Sequence, residues 1–346
     1  MANLLTARRG RLRWDWTDWA AHLYLVLGTL VMFGPVLWLG LSSVKSESGL
    51  QAYPPTILPY EQARIDVPER GTLKLFHVTQ GEHAGQDLAE VRRLGLQSQL
   101  VDPANPGTLI RLPIEARTPV MRLHAAWENF TDLFSQFSFA RIVWNSVFIT
   151  VVATVLTLLV NSMAAFALSK YKFSGRDQVF LLMLATLMIP PTIVLVPNYL
   201  IASQLGLTNS PWGVIWPAVA TPTGVFLLRQ YMLTLPDELL EAARMDHASE
   251  WRIYWRIILP LSSPALAVLA IFSVMWRWNE FLWPMVVLSR SESFTLPLAL
   301  NSFQGELTTQ WHFLLAMTVL TLLPVTAIFV VLQRHIAQGI ASAGVK

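Results

Sequence analysis

Between Pro236 and Pro260 the chain reads PDELLEAARMDHASEWRIYWRIILP, and its side chains are spaced for recognition rather than for bond-making. Asp237, Glu238 and Glu241 put negative charge at the start of a helix, where the helix dipole favours it. Thr234 is the expected N-cap, and Pro236 suits the first turn, where a missing N–H costs nothing. Leu239, Leu240, Ala243 and Met245 supply apolar surface, and the small Ala242 and Ala243 let another backbone approach closely. A bend at Asp246-His247-Ala248 follows. Ser249 then caps a second short helix carrying Trp251, Ile253, Tyr254, Trp255 and Ile257 beside Arg252 and Arg256. Periodicity alone describes an amphipathic segment lying on a membrane surface.

Residue sets that carry reaction chemistry are missing. The chain has no G-x-x-x-x-G-K-[ST] phosphate loop, no H-E-x-x-H and no nucleophile elbow. It has no cysteine, so thiolate catalysis, disulfides and Cys-based metal sites are excluded. The sequence therefore assigns no catalytic residue, no metal and no cofactor to this chain, and does not describe an enzyme.

The elements around 236–260 belong to a membrane. Residues are 53% hydrophobic and 14% charged over 346 positions, against about 25% charged in a soluble domain. The 14 Trp suit membrane–water interfaces. Apolar runs of about 20 residues, enough to cross about 30 Å of hydrocarbon, lie at 20–42, Ile142–Leu168, Val179–Ile201, Trp212–Met232, about 257–288 and Phe313–Leu332. The expected fold is an all-α polytopic membrane protein with six transmembrane helices. Arg8, Arg9, Arg11 and Arg13, with Trp14, Trp16 and Trp19, hold residues 1–19 in the cytoplasm. Lys170, Lys172 and Arg176, then Arg244, Arg252 and Arg256, then Arg334 and Lys346 mark the inner loops and the 336–346 tail. The outer loops 202–211 and 289–312 hold only Arg290. The topology is N-in, C-in, and the helices of 141–335 form the core.

Residues 46–140 are polar and proline-rich, with strand-like runs at Leu73–Thr79 and Leu109–Ile114 and a helical patch expected at Asp87–Leu96. They read as a small, mostly β extracytoplasmic insert between the first two helices.

Glu241-Ala242-Ala243, with Asp246, position 247, Ile257, Leu259 and Pro260 at their spacings, resemble the EAA signature of ATP-binding-cassette (ABC) importer permeases. An ordered series supports it: Asn145-Ser146, Ala164–Lys172 with Gly175-Arg176, Ile189-Pro190 with Pro197, Gly206-Leu207, Phe226–Gln230, Trp278-Asn279-Glu280-Phe281 with Pro284, Thr295-Leu296-Pro297 and Gln333-Arg334. The series covers about 125–346 and is similar to the carbohydrate-uptake branch of that family.

The resemblance implies an ABC importer type I permease fold in a prokaryotic inner membrane. The chain would form half the translocation pathway of a binding-protein-dependent sugar importer. Implied partners are two ATP-binding cassette ATPase subunits, which hold ATP and Mg and dock on 236–260, a second homologous permease subunit, an extracytoplasmic solute-binding protein and the lipid bilayer, with no nucleic acid. Maltose, trehalose, other oligosaccharides and glycerol-3-phosphate are all carried by such subunits.

Pathway or gating candidates are the polar residues inside apolar runs: Asn161, Gln230, Trp278, Asn279 and Glu280, with Arg229 and Arg277 beside them. For Asn161 an interhelical hydrogen bond is the first reading, and Arg277 and Glu280 are spaced to pair on one helix face. The family pattern has Gly at the bend where this chain has His247, so a tighter or more helical bend is expected there, or a shifted angle at which the two helices meet the partner; a tolerated substitution is the first reading of His247 and a pH sensor the second. The alternative class is a self-sufficient secondary transporter or channel, which would show inverted repeats and coupling carboxylates.

Overall fold

The structure, a computed structural model, describes residues 15–305 and 309–344. Its contacts divide into two units, Met1–Asn129 with Trp311–Val319 and Phe130–Gln310 with Leu320–Lys346. Arg8, Arg9, Arg11, Arg13, Trp14 and Lys346 lie outside the described residues.

In the first unit, helix α1 (Trp16–Ser43) starts at a capping box: Asp15 accepts from backbone N–H groups of the first turn, and Asp18 accepts from the Asp15 N–H. At 28 residues it is long and apolar enough to span a bilayer. Nearly all of its side chains up to Leu39 are exposed. A short α2 (Glu47–Leu50) follows. Strands β1 (Tyr60–Gln62), β2 (Arg64–Val67), β3 (Gly71–Val78), β4 (Asp87–Leu94), β5 (Gln97–Asp102), β6 (Asn105–Pro113), β7 (Arg117–Pro119) and β8 (Met121–Leu123) come next. β2 to β6 form an antiparallel meander in sequence order, β7 adds to β3, and β1 pairs with β8. The residue period of two puts Val67, Ala89 and Val101 in one buried cluster and Val78, Leu88 and Leu100 in another.

Residues 87–94 are thus a strand and not the expected helix. Their helix-forming letters yield to a ladder with β3 (Leu75 opposite Ala89) and with β5 (Glu90 opposite Leu100), turned at Gly95 with φ 58°. Inside the unit Glu90 accepts from Arg117 Nη2 at 2.6 Å and from Ser98 Oγ at 2.8 Å. Asn129 ties the chain back to the end of α1, donating to the Ser43 and Lys45 carbonyls at 2.9 and 2.8 Å.

The second unit begins at Phe130 within α3 (Glu128–Gln136), which leads to α4 (Phe139–Lys170), an unbroken apolar helix of 32 residues. Then come α5 (Arg176–Ala185), α6 (Leu195–Gln204), α7 (Pro211–Ile215), α8 (Pro222–Leu233), α9 (Glu238–Met245), α10 (Glu250–Ile253), α11 (Leu259–Leu261), α12 (Ser263–Asn279), α13 (Leu282–Val287), α14 (Leu296–Ser302) and α15 (Trp311–Gly344), whose residues Trp311–Val319 count with the first unit. Trp311–Ala327 is the apolar part of α15, and the helix runs through position 335 without a break.

Among the described residues two single helices are long and apolar enough to cross a membrane, or up to four if each bent pair is one span. Pro211–Ala218 and Pro222–Leu233 meet at 46°, and Glu250–Leu261 and Ser263–Asn279 at 76°. Val179–Ile201 is not one helix. It is α5, a 3₁₀ turn at Thr186–Met188 and α6, parted around Pro190 and Pro191, where donors are missing.

Two recurring phrases meet at one end of α4. Asn145 Nδ2 donates to the Glu292 and Phe294 carbonyls at 2.9 and 3.1 Å, and Ser146 Oγ accepts from the Leu296 N–H at 2.7 Å. They pin the loop that opens α14.

Candidate coupling site

The turn into α9 is made differently from the sequence expectation. Thr234 closes α8, its hydroxyl donating to the Tyr231 carbonyl at 2.7 Å. Asp237 is the N-cap position of α9, and Pro236 precedes it. Lys170, at the end of α4, reaches across and donates to the Leu235 carbonyl at 2.7 Å and to Asp237 Oδ1 at 2.6 Å. That bond, reinforced by the Lys170 charge, holds the Asp237 carboxyl below its ordinary value.

One face of α9 is anchored. Leu240 is 2% exposed, in a cluster with Phe166, Leu228, Met232, Ile253, Tyr254 and Ile258, and Ala243 packs against it. Arg244 donates to Glu250 through Nε at 2.9 Å and Nη2 at 3.4 Å, and Tyr171 donates its hydroxyl to the same carboxylate at 2.7 Å. The Arg244 bond chiefly lowers the Glu250 pKa below its usual 4.5, with the Tyr171 bond adding to it. The Tyr171 phenol is pushed up to about 12, by burial first and then by Glu250. A carboxyl whose folded-state pKa is depressed stabilises the fold above its ordinary value and stops doing so as pH falls through the depressed one. The melting temperature of the purified chain therefore falls as pH drops below 4.5, and Glu250→Gln both lowers stability at neutral pH and flattens that acid dependence.

The bend is a helix C-terminus of the Schellman kind. Ala248 N–H donates to the Ala243 carbonyl and His247 N–H to the Arg244 carbonyl, each at 3.0 Å. The first of these two residues past the cap must be left-handed, and His247 sits at φ 55°. The expected tighter or more helical bend does not occur: His247 adopts the conformation for which glycine is favoured. Its imidazole is exposed and forms no ion pair among the described residues. Replacing it by glycine removes a left-handed penalty of about 1 kcal/mol, so H247G raises the melting temperature with the fold unchanged.

Ser249 caps α10 as expected, accepting from the Arg252 N–H at 3.3 Å. The helix then widens into a π turn, Tyr254–Ile258, just before Pro260. Tyr254 is buried and shares a 2.7 Å hydrogen bond with Ser162 of α4. Ile257 and Leu259 are half-buried, while Pro260 is exposed ahead of the 76° bend. The opposite face is open: Glu238, Leu239, Glu241, Ala242, Met245, Asp246, Trp251 and Trp255 are exposed, with Met245 at 80% and Trp251 at 64%. The arrangement is a two-helix hairpin clamped on one side and presenting an acidic, apolar surface on the other.

The other sequence candidates do not gather at this site. Asn161 is fully buried on α4, accepting from the Thr221 N–H at 3.1 Å and donating to its hydroxyl at 2.7 Å. Gln230 is exposed on α8, while its neighbour Arg229 donates to the Leu168 carbonyl at 3.0 Å and stacks 4.0 Å over Phe180. Trp278 is buried, its indole donating to the Thr321 carbonyl at 3.2 Å. Asn279 donates to the Met275 carbonyl of its own helix. Arg277 and Glu280 do not pair. Arg277 donates to Ser273, Thr157 and the Ala218 carbonyl, and Glu280 accepts from the Trp276 indole and the Trp283 N–H. Lys170, Tyr171 and Glu250 were absent from the sequence candidates; the only hint was a cation and a phenol at the end of an apolar run.

Residues 161–342 match the family described as "Binding-protein-dependent transport system inner membrane component". The chain is 41% identical over 223 residues to the arabinooligosaccharides transport system permease protein AraQ of Halalkalibacterium halodurans, covering 63% of this chain and 79% of that one. It is 31% identical over 215 residues to the lactose transport system permease protein LacG of Rhizobium radiobacter (62% and 79% covered). To the sn-glycerol-3-phosphate transport system permease protein UgpE of Yersinia enterocolitica it is 32% identical over 225 residues (63% and 80%). Among solved structures, a chain of a bacterial ABC transporter that imports the acidic polysaccharide alginate shares the fold, with a TM-score of 0.65 at 20% identity over 94% of this chain and 99% of that one. By the family match over residues 161–342, which contains the EAA hairpin, the chain belongs to the inner-membrane permease components of binding-protein-dependent ABC importers, a family of non-catalytic transport subunits.

Proposed function

We propose that this chain forms one half of the pathway of an ATP-driven oligosaccharide importer and is moved through the 236–260 hairpin. The observation that carries this is the hairpin itself. One face is fixed to α4 and α8 through Leu240, Tyr254, Lys170 and Tyr171, and the other is free and apolar with acidic neighbours. A rigid base under an exposed surface turns a partner's displacement into helix motion. A pair of ATPase subunits supplies that displacement and holds ATP and Mg; a second, homologous permease completes the pathway; and a solute-binding protein delivers the substrate from outside. The six apolar segments run N-in, C-in, with the β unit on the outer side. The arabinooligosaccharide permeases among its relatives support an oligosaccharide as the cargo. Within this reading Asn161, Gln230, Trp278, Asn279 and Glu280 shape or gate the pathway.

The test is purification of the affinity-tagged chain with its candidate partners. ATPase subunits remain bound to the parent chain and are lost when Leu239, Met245 and Trp251 are replaced together by Asp. Retention of those subunits by the triple variant, or their absence from the parent, overturns the proposal.

A further inference from the structure

The fourth apolar segment contains two prolines, and each removes a donor from a carbonyl four residues earlier. Pro217 leaves the Gly213 carbonyl without its helical partner, and Pro222 leaves that of Ala218 without one. The next donor that Ala218 could use, the Thr221 N–H, is already given to Asn161 Oδ1 at 3.1 Å. Polar backbone groups at membrane depth have no water to turn to, so they need a substitute.

Both substitutes come from the fifth apolar segment. The Trp283 indole donates to the Gly213 carbonyl at 3.0 Å, and Arg277 Nη2 donates to the Ala218 carbonyl at 2.7 Å. Arg277 is itself steadied by Ser273 and Thr157 at 3.1 and 2.6 Å. Glu280 accepts from the Trp283 N–H at 3.1 Å. The 46° break at 219–221 is thus stitched from both sides, by Asn161 of α4 and by Arg277 of α12.

We infer that Arg277 and Trp283 are positioning residues: they replace the two backbone donors that Pro217 and Pro222 remove, and so fix the angle at which α8 leaves the break. Four residues separate the start of α9 from the end of α8, so this angle sets where the 236–260 hairpin is held. That consequence rests on the coupling reading of the hairpin; the stitching does not.

The experiment uses the full chain, which has no cysteine of its own. Spin labels at cysteines replacing Trp212 and Leu233, exposed on either side of the break, report the angle as a distance. The parent gives one narrow distribution. R277M broadens or shifts it, and R277K, which keeps a donor, restores part of the narrowing; a distribution unchanged by R277M overturns the inference. A second cycle guards against a variant that merely unfolds. P217A returns an N–H to a helical turn facing the Gly213 carbonyl, so W283F lowers the melting temperature by less than half as much in P217A as in the parent. An equal loss in both backgrounds overturns the assignment for Trp283. Because both readouts concern the chain alone, they fail or succeed independently of whether ATPase subunits bind the hairpin.

Discussion

Tryptophan in place of Ala242 abolishes ATP-driven uptake by the assembled transporter while the chain still folds. Ala242 is exposed and lies three residues from both Leu239 and Met245, so the three share one open helix face. Leu240, which anchors the helix, points into the buried cluster instead. A large ring at 242 therefore leaves the Arg244–Glu250–Tyr171 clamp and the Leu240 cluster untouched and lifts any partner off the surface. Uptake falls at least about tenfold, equivalent to about 1.4 kcal/mol of lost interaction. The melting temperature of the purified chain stays within a degree or two of the parent. Ala242→Ser, which keeps the size, retains uptake. A bulky residue at 242 that leaves uptake intact removes this face from the mechanism.

Gly224→Val has the opposite signature, loss of the fold itself. A Cβ at 224 would lie 2.3 Å from Asn161 Nδ2 and 2.6 Å from Thr221 Oγ1, closer than any real contact, and neither group can yield without breaking the bonds between them. Overpacking costs about 1–3 kcal/mol, and a stranded Thr221 N–H about 1–3 more. That is a large part of a stability of about 5–15 kcal/mol. The variant yields little monodisperse protein in size-exclusion chromatography and melts well below the parent. Removing the obstacle tests the cause: G224A melts higher in an N161A background than the sum of the two single losses allows. Strict additivity would show that the clash with Asn161 is not the reason.

Much of this was legible in the residues, and the remainder was hidden for identifiable reasons. Ser249 as a cap and the bend at 246–248 are local signals, and the structure carries both. Local signals misled where a neighbouring element competed. Thr234 has the chemistry of an N-cap but finishes α8, because the chain needs two more residues to turn and Asp237 takes the position. Asp87–Leu94 has helix-forming letters but pairs with strands on both sides. Hydropathy measures only the length of apolar runs, since a proline leaves mean hydropathy almost unchanged while deleting a donor; the prolines themselves announce a kink at Pro190-Pro191, which the structure carries, whereas the break at Pro222 had no such reading. The clamp of the hairpin was the least visible part. Lys170 meets Asp237 and Tyr171 meets Glu250 across 67 and 79 residues, and no periodicity connects such positions. The π turn at 254–258 had a signal that went unread, a proline two residues beyond it.

The central claim, that the open face of 236–260 transmits ATP hydrolysis to the pathway, is tested most directly by measuring solute uptake and ATP hydrolysis together. The measurement uses vesicles holding the whole transporter, with the parent chain and with Glu241→Lys. Glu241 is exposed beside Ala242 and makes none of the hydrogen bonds of the Arg244–Glu250 clamp, adding to it only a weaker attraction for Arg244. The account predicts that the variant assembles into a folded chain, loses uptake at least about tenfold, and no longer raises ATP hydrolysis when loaded binding protein is added. Parent-level uptake and stimulation with lysine at 241 would contradict it.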